Sequence, residues 1–165
     1  SNLLVNGQFL AKIGATYFRT DRGGDVTYHG LGQLVGYPIL DLERIGVSLR
    51  DYIFSLEESV IRTVADYGIT AGRLEGATGV WIDPHTPRAR KICAIGVKAS
   101  HFVTMHGFAL NVTTDLNYFS HINPCGFTDK GVTSIERETG LKPSLEEVGQ
   151  RFTAHFGEIL KIELK

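Results

Sequence analysis

Cys125 sits in Asn123-Pro124-Cys125-Gly126-Phe127, a setting suited to presenting a thiol. Pro124 restricts the backbone, and Gly126 leaves no side chain beside the sulfur. As a thiolate, cysteine is the most nucleophilic common side chain near neutral pH, and covalent catalysis is the chemistry it would do. The plain alternative for a free cysteine is a small buried hydrophobe. Cys93 fits that alternative, because it lies in Ile92-Cys93-Ala94-Ile95, an apolar strand-like run with nothing beside it to ionise a thiol. A nucleophilic cysteine needs a base or a cation nearby. His29, His85, His101, His106, His121 and His155 leave a Cys/His hydrolase open, and their spacing does not say which reaches Cys125. Lys91 and Lys98 flank one predicted strand, where the ordinary fate of a lysine is solvation.

Glycine concentrates in Arg22-Gly23-Gly24-Asp25-Val26-Thr27-Tyr28-His29-Gly30-Leu31-Gly32-Gln33 and again between Gly96 and Gly107. Such stretches let backbone N–H groups approach a carbonyl or thioester oxygen, with Tyr28 and His29 shaping the pocket. A hairpin turn with a satisfied histidine is the simpler alternative. The first stretch lacks the Gly-Lys-Ser/Thr of a phosphate-binding loop and is not a dinucleotide fingerprint. No His/Cys/Asp cluster has zinc-like spacing, so no metal is expected.

These residues need elements to hold them. In 48–67, Leu49, Tyr52, Ile53, Leu56, Val60, Ile61 and Val64 fall at helical intervals, with Ser48 as N-cap and Gly68 as stop. In 144–160, Ser144 and Glu147 form a capping-box pattern after Pro143, and Val148, Phe152, Phe156 and Leu160 make one stripe. Strands are predicted at 15–20, 33–40, 79–83, 90–99 and 106–114, from β-branched and aromatic content bounded by Gly, Pro or Asp. Strands outnumber helices without regular alternation, which predicts an α+β fold with mixed sheets and flanking helices.

A length of 165 residues suits one domain, and 42% apolar with 21% charged residues is an ordinary globular balance. Net charge −1 and a pI near 6.6 argue against bulk nucleic-acid or anionic-membrane binding. No apolar run approaches a membrane span, and no signal-peptide pattern opens the chain. Two cysteines are too few for a disulfide framework, so a cytoplasmic setting is expected.

Four blocks, taken in order, resemble the lipoyl(octanoyl) transferase family, also called lipoate-protein ligase B. They are Arg22 to Gln33, Lys91 to Val97, Met105 to Val112, and Ile122-Asn123-Pro124-Cys125-Gly126. The gaps are family-like too, with Lys91 and Cys125 separated by 34 residues, and the similarity runs from about residue 15 to 140. The resemblance implies an α+β fold like that of biotin and lipoate ligase catalytic domains. It implies octanoyl transfer from octanoyl-acyl carrier protein to a lysine of lipoyl-domain proteins, such as dehydrogenase E2 subunits and the glycine cleavage H protein. The route would be a thioester on Cys125, with Lys91 handling protons, as the first step of endogenous protein lipoylation. No cofactor is implied. Arg22, Gly23, Gly24, Asp25, Val26, Thr27, Tyr28 and His29, then Ala94, Ile95 and Gly96, then Gly107, Phe108 and Ala109, would line the acyl site. An eight-carbon chain wants an apolar groove, and its carbonyl wants backbone donors beside glycines.

Leu31 stands where the family usually has Pro, which should alter only turn stiffness. The family's N-terminal His-x-Pro-x-Tyr-Thr-like segment is also missing, so residues 1–165 are expected to form one ligase-type catalytic domain without it. The rival readings are an ATP-dependent lipoate or biotin ligase and a non-catalytic acyl-binding module. The run Arg88-Arg90-Lys91 is a possible dock for an acidic carrier protein or an ordinary solvated loop.

Overall fold

A computed structural model describes residues 3–122 and 130–163. In chain order the elements are α1 (Gly7–Lys12), β1 (Gln33–Gly36), α2 (Leu42–Ile45), α3 (Leu49–Ala65), β2 (Gly72–Leu74) and β3 (Ala77–Ile82). They continue with β4 (Arg90–Ser100), β5 (Val103–Asn111), a 3-10 turn (Leu116–His121), β6 (Gly131–Val132), α4 (Ile135–Thr139) and α5 (Leu145–Leu160). The strands form one six-stranded sheet in the order β1-β5-β4-β3-β2, antiparallel throughout, with β6 lying parallel to β4 beside Arg90 and Lys91. The fold is α+β, with a mixed sheet. Among the described residues no helix is long and apolar enough to cross a membrane.

The two long helices begin where their caps predict. The Ser48 hydroxyl accepts from Asp51 N–H, and the Ser144 hydroxyl accepts from Glu147 N–H. The Glu147 carboxylate does not close a reciprocal box; it accepts from Tyr67 Oη at 3.0 Å and from Arg151. Past α3, Gly68 takes φ +78°, a left-handed stop two residues beyond the Asp66 cap. Tyr52, Leu56, Val60 and Val64 of α3 and Val148, Phe152 and Phe156 of α5 face the sheet, meeting Val80, Ile92, Cys93, Ile95, Phe108 and Leu110. Burial pushes the Tyr52 hydroxyl up to about 12, and the group is satisfied by donating to Pro38 O.

Residues 15–20 carry no regular structure and, Ala15 apart, are exposed, contrary to the strand expected there. Tyr17 and Phe18 have the composition of a strand, but a strand also needs a partner, and among the described residues β1 pairs only with β5. The strand expected over 33–40 stops at Gly36, two residues before Pro38, which has no N–H for a ladder. The segment expected as a strand over 106–114 lies three residues earlier, because a tight hairpin through His101 and Phe102, both at positive φ, joins β4 to β5.

Candidate functional site

The two faces of the sheet differ in side-chain size. On the helix-covered face, Cys93 pairs with Leu110 and Ile95 with Phe108. On the other face, the cross-strand pairs are Ala94 with Ala109 and Gly96 with Gly107. Four small residues make a trough there, and the segment from Arg22 to His29 lies over it. The space between is a narrow cleft, open to solvent at its mouth.

The loop is held in place by several contacts. Beyond the end of β3, Gly23 N–H donates to Val97 O at 3.0 Å. The Arg22 guanidinium folds back to donate to Gly23 O at 2.9 Å and Asp25 O at 2.6 Å. Asp21 accepts from Lys98 and lies 3.3 Å from His106 Nε2; these partners, Lys98 first, hold its carboxyl below the ordinary aspartate range. The loop comes so close that a Cβ on Gly96 would meet Gly23 O at 2.5 Å. On the neighbouring strand, a Cβ on Gly107 would meet Gly36 O at 2.1 Å. Both positions therefore require glycine for close backbone approach.

Lys91 reaches this cleft because of a register shift. Val80 pairs with Cys93, but the next β3 residue, Trp81, pairs with Lys91, which leaves Ile92 as an extra residue in β4. Strict alternation would put Lys91 on the same face as Cys93 and Ile95, in the core. The bulge sends Ile92 into the core and turns Lys91 to the face of Ala94 and Gly96. Lys91 is only 7% exposed, far from the solvation ordinary for a strand-end lysine, and its Nζ lies 4.7 Å from the Trp81 ring centroid. Cys93 is fully buried, as expected from its apolar run, and burial pushes its thiol up, away from ionisation.

The cleft brings together Arg22, Gly24, Asp25, Val26, Thr27, His29, Lys91, Ala94, Ile95, Gly96, Gly107, Phe108 and Ala109. Residues 107–109 belong to β5. Gly23 and Tyr28 do not line the cleft. Gly23 backs onto β4, and Tyr28 stacks on Tyr118 at 4.8 Å in an outer groove that shares the Arg22–His29 wall. Cys125 lies outside the described residues. Of the basic run expected as a carrier-protein dock, Arg90 is spent on Asp83 and Glu138, both at 2.6 Å, and Lys91 is buried. Only Arg88 is exposed there, which overturns that run as a docking patch.

Gln33 and Asn111 also line the cleft, and no role was expected of them. Both are buried. His29 Nδ1 lies 2.9 Å from Gln33 Oε1, Gln33 Nε2 donates to Asn111 Oδ1 at 2.8 Å, and Asn111 Nδ2 donates to Thr133 O at 3.0 Å. One signal was available: Asn111 is an amide inside the apolar run Phe108-Ala109-Leu110-Asn111-Val112, and buried amides need partners.

The model of the lipoyl protein ligase A/B catalytic domain matches residues 1–157. The octanoyltransferase of Bacteroides thetaiotaomicron is 60% identical over 160 residues, which cover 97% of this chain and 70% of that protein. The chain belongs to the lipoyl protein ligase A/B catalytic-domain family. Within that family its similarity is to octanoyltransferases, including that of Bacteroides fragilis, 61% identical over 151 residues, 92% of this chain and 68% of the relative. Among solved structures, a bipartite lipoate protein ligase from Thermoplasma acidophilum shares the fold at TM-score 0.74 and 20% identity, covering 97% of this chain and 64% of that one. A lipoate-protein ligase A bound with ATP gives TM-score 0.69 at 20% identity, over 98% and 65% of the two chains. The chain thus spans about 70% of the length of its curated relatives and just under two thirds of these structural neighbours.

Proposed function

We propose that this protein is an acyltransferase that moves an octanoyl group from octanoyl-acyl carrier protein to a lysine of a lipoyl-domain protein. Octanoyltransferases at about 60% identity support the acyl group and the reaction class. The observation that carries the mechanism is the β4 bulge, which places a buried lysine on the wall of a cleft floored by Ala94, Gly96, Gly107 and Ala109. A floor of small residues leaves room for an alkyl chain along the sheet. The loop from Arg22 to His29 closes the other side and excludes water from the acyl group.

The reaction runs in two displacements. Cys125 loses its proton to Lys91, and the thiolate attacks the carrier-bound thioester. A new C–S bond forms to Cys125, the old one breaks, and the carrier thiolate leaves with the proton from Lys91. The acceptor lysine amine then attacks the Cys125 thioester. A C–N bond forms, the C–S bond breaks, and the amine proton returns through Lys91 to the sulfur. No nucleotide is consumed, and the setting of this chemistry is the cytoplasm.

Intact-protein mass spectrometry after mixing with octanoyl-acyl carrier protein tests this reading. Wild type should gain one octanoyl mass, lost again when a lipoyl domain is added without ATP, while Cys125→Ser should accumulate no thioester. Octanoyl transfer by Cys125→Ser, or transfer that requires ATP, would contradict it.

A further inference from the structure

Behind His29 runs a chain of polar side chains that the Cys125–Lys91 chemistry does not use. Gln33 and Asn111 are 6% and 4% exposed, and they meet across 78 residues of sequence. Two backbone carbonyls settle how both amides point, because a carbonyl oxygen can only accept. Thr133 O takes Asn111 Nδ2 at 3.0 Å, so Asn111 Oδ1 faces Gln33. Gln33 Nε2 gives one hydrogen to that oxygen at 2.8 Å and the other to Tyr28 O at 3.1 Å. Flipping either amide would set oxygen against oxygen at a buried contact. The atom of Gln33 that meets His29 Nδ1, at 2.9 Å, is therefore Oε1, which has no hydrogen to give. His29 Nδ1 carries the proton, and in the neutral ring Nε2 is left as an acceptor.

His29 stands where the acyl cleft meets the outer groove and lines both. Among the described residues nothing pairs with its Nε2. The same polar chain also touches the proton-handling strand, since Thr133 N–H donates to Lys91 O at 2.9 Å.

We propose that Gln33, oriented by Asn111 and the Tyr28 carbonyl, is a positioning residue that holds His29 as its Nδ1–H tautomer, so that Nε2 accepts a hydrogen bond from the incoming lysine amine. This inference rests on the acyl-transfer reading. The choice of tautomer matters for the second displacement. A ring with the hydrogen on Nε2 would donate to the amine and occupy the lone pair that must attack the thioester carbon. A ring with a bare Nε2 binds one amine N–H and leaves the lone pair free to point at the carbonyl. His29 keeps its own proton throughout; the C–N bond forms and the C–S bond breaks with proton transfer through Lys91 as above.

The test reads the ring directly, by nitrogen-15 NMR of histidine-labelled protein without substrate, alongside single-turnover transfer from octanoyl-loaded enzyme to a lipoyl domain. Wild-type His29 should show Nδ1–H. Gln33→Met, which keeps length but removes the acceptor, should shift the ring toward Nε2–H and slow transfer about 10- to 100-fold, as misplacement of a reacting group does. A wild-type ring protonated on Nε2, or an unchanged tautomer in Gln33→Met, overturns the inference. Should Gln33→Met not fold, the wild-type spectrum still decides. Failure of Cys125 to take up octanoyl would sink the acyl-transfer reading alone, whereas normal loading with the Nε2–H ring would sink this inference alone.

Discussion

The two faces of one sheet have opposite designs. One carries Cys93, Ile95, Phe108 and Leu110 against α3 and α5, close-packed and closed to solvent. The other carries Ala94, Gly96, Gly107 and Ala109 under a loop tied down by Arg22 and Asp21. Large side chains on the first face bury area and stabilise; small ones on the second leave room for a ligand. The residue that joins the two designs is Ile92, whose insertion lets β4 give two consecutive residues, Ile92 and Cys93, to the core while Lys91 turns to the cleft. A bulge at this place re-aims one side chain without disturbing the strand's pairing with β5.

Altering one face without the other should separate stability from activity. Phe152→Ala, at the centre of the Phe108–Phe152–Phe156 cluster, should cost about 3–5 kcal/mol in denaturant melts. The folded fraction should still load octanoyl. Ala94→Leu on the opposite face should do the reverse, filling the trough and cutting the loading rate by roughly tenfold or more, with a change of under about 1.5 kcal/mol in stability. Equal damage to stability and loading by both variants would show that the faces are not separate.

Cys93→Ala sharpens the contrast with Cys125. Removing a fully buried sulfur should cost stability by about 1 kcal/mol and leave one octanoyl per chain by mass. The smallest effect is acid-dependent. Arg90, and then the Thr133 hydroxyl, hold the Glu138 carboxyl below the ordinary glutamate range, joining β4 to α4. A depressed carboxylate contributes stability above its unfolded pKa and loses it as pH falls through the folded value. Melting temperature should therefore hold down to about pH 5 and decline below about pH 4, and Glu138→Gln should flatten that decline.

Much of this was legible in the sequence. Ser48 and Ser144 marked the starts of α3 and α5, and the apolar stripes marked their buried faces, because those signals are local. The four family-like blocks named most of the residues that the cleft gathers. The bulge was not legible: Lys91, Cys93 and Ile95 share parity, and only pairing with Trp81 shows that Lys91 leaves their face. Nor was the Gln33–Asn111 contact, which depends on β1 lying beside β5 in a register no short window reveals. Residues 15–20 misled for the converse reason: their composition suits a strand, but among the described residues no strand pairs with them.

The central claim is that Lys91 moves protons for a thioester on Cys125, and octanoyl transfer by Lys91→Arg tests it most directly. Arginine keeps the positive charge, yet it does not give up its proton near neutral pH. If Lys91 transfers protons, the overall rate should fall about a hundredfold or more, with the variant folded and its melting temperature close to wild type. Near-normal transfer by Lys91→Arg, with an unchanged pH profile, would contradict the account.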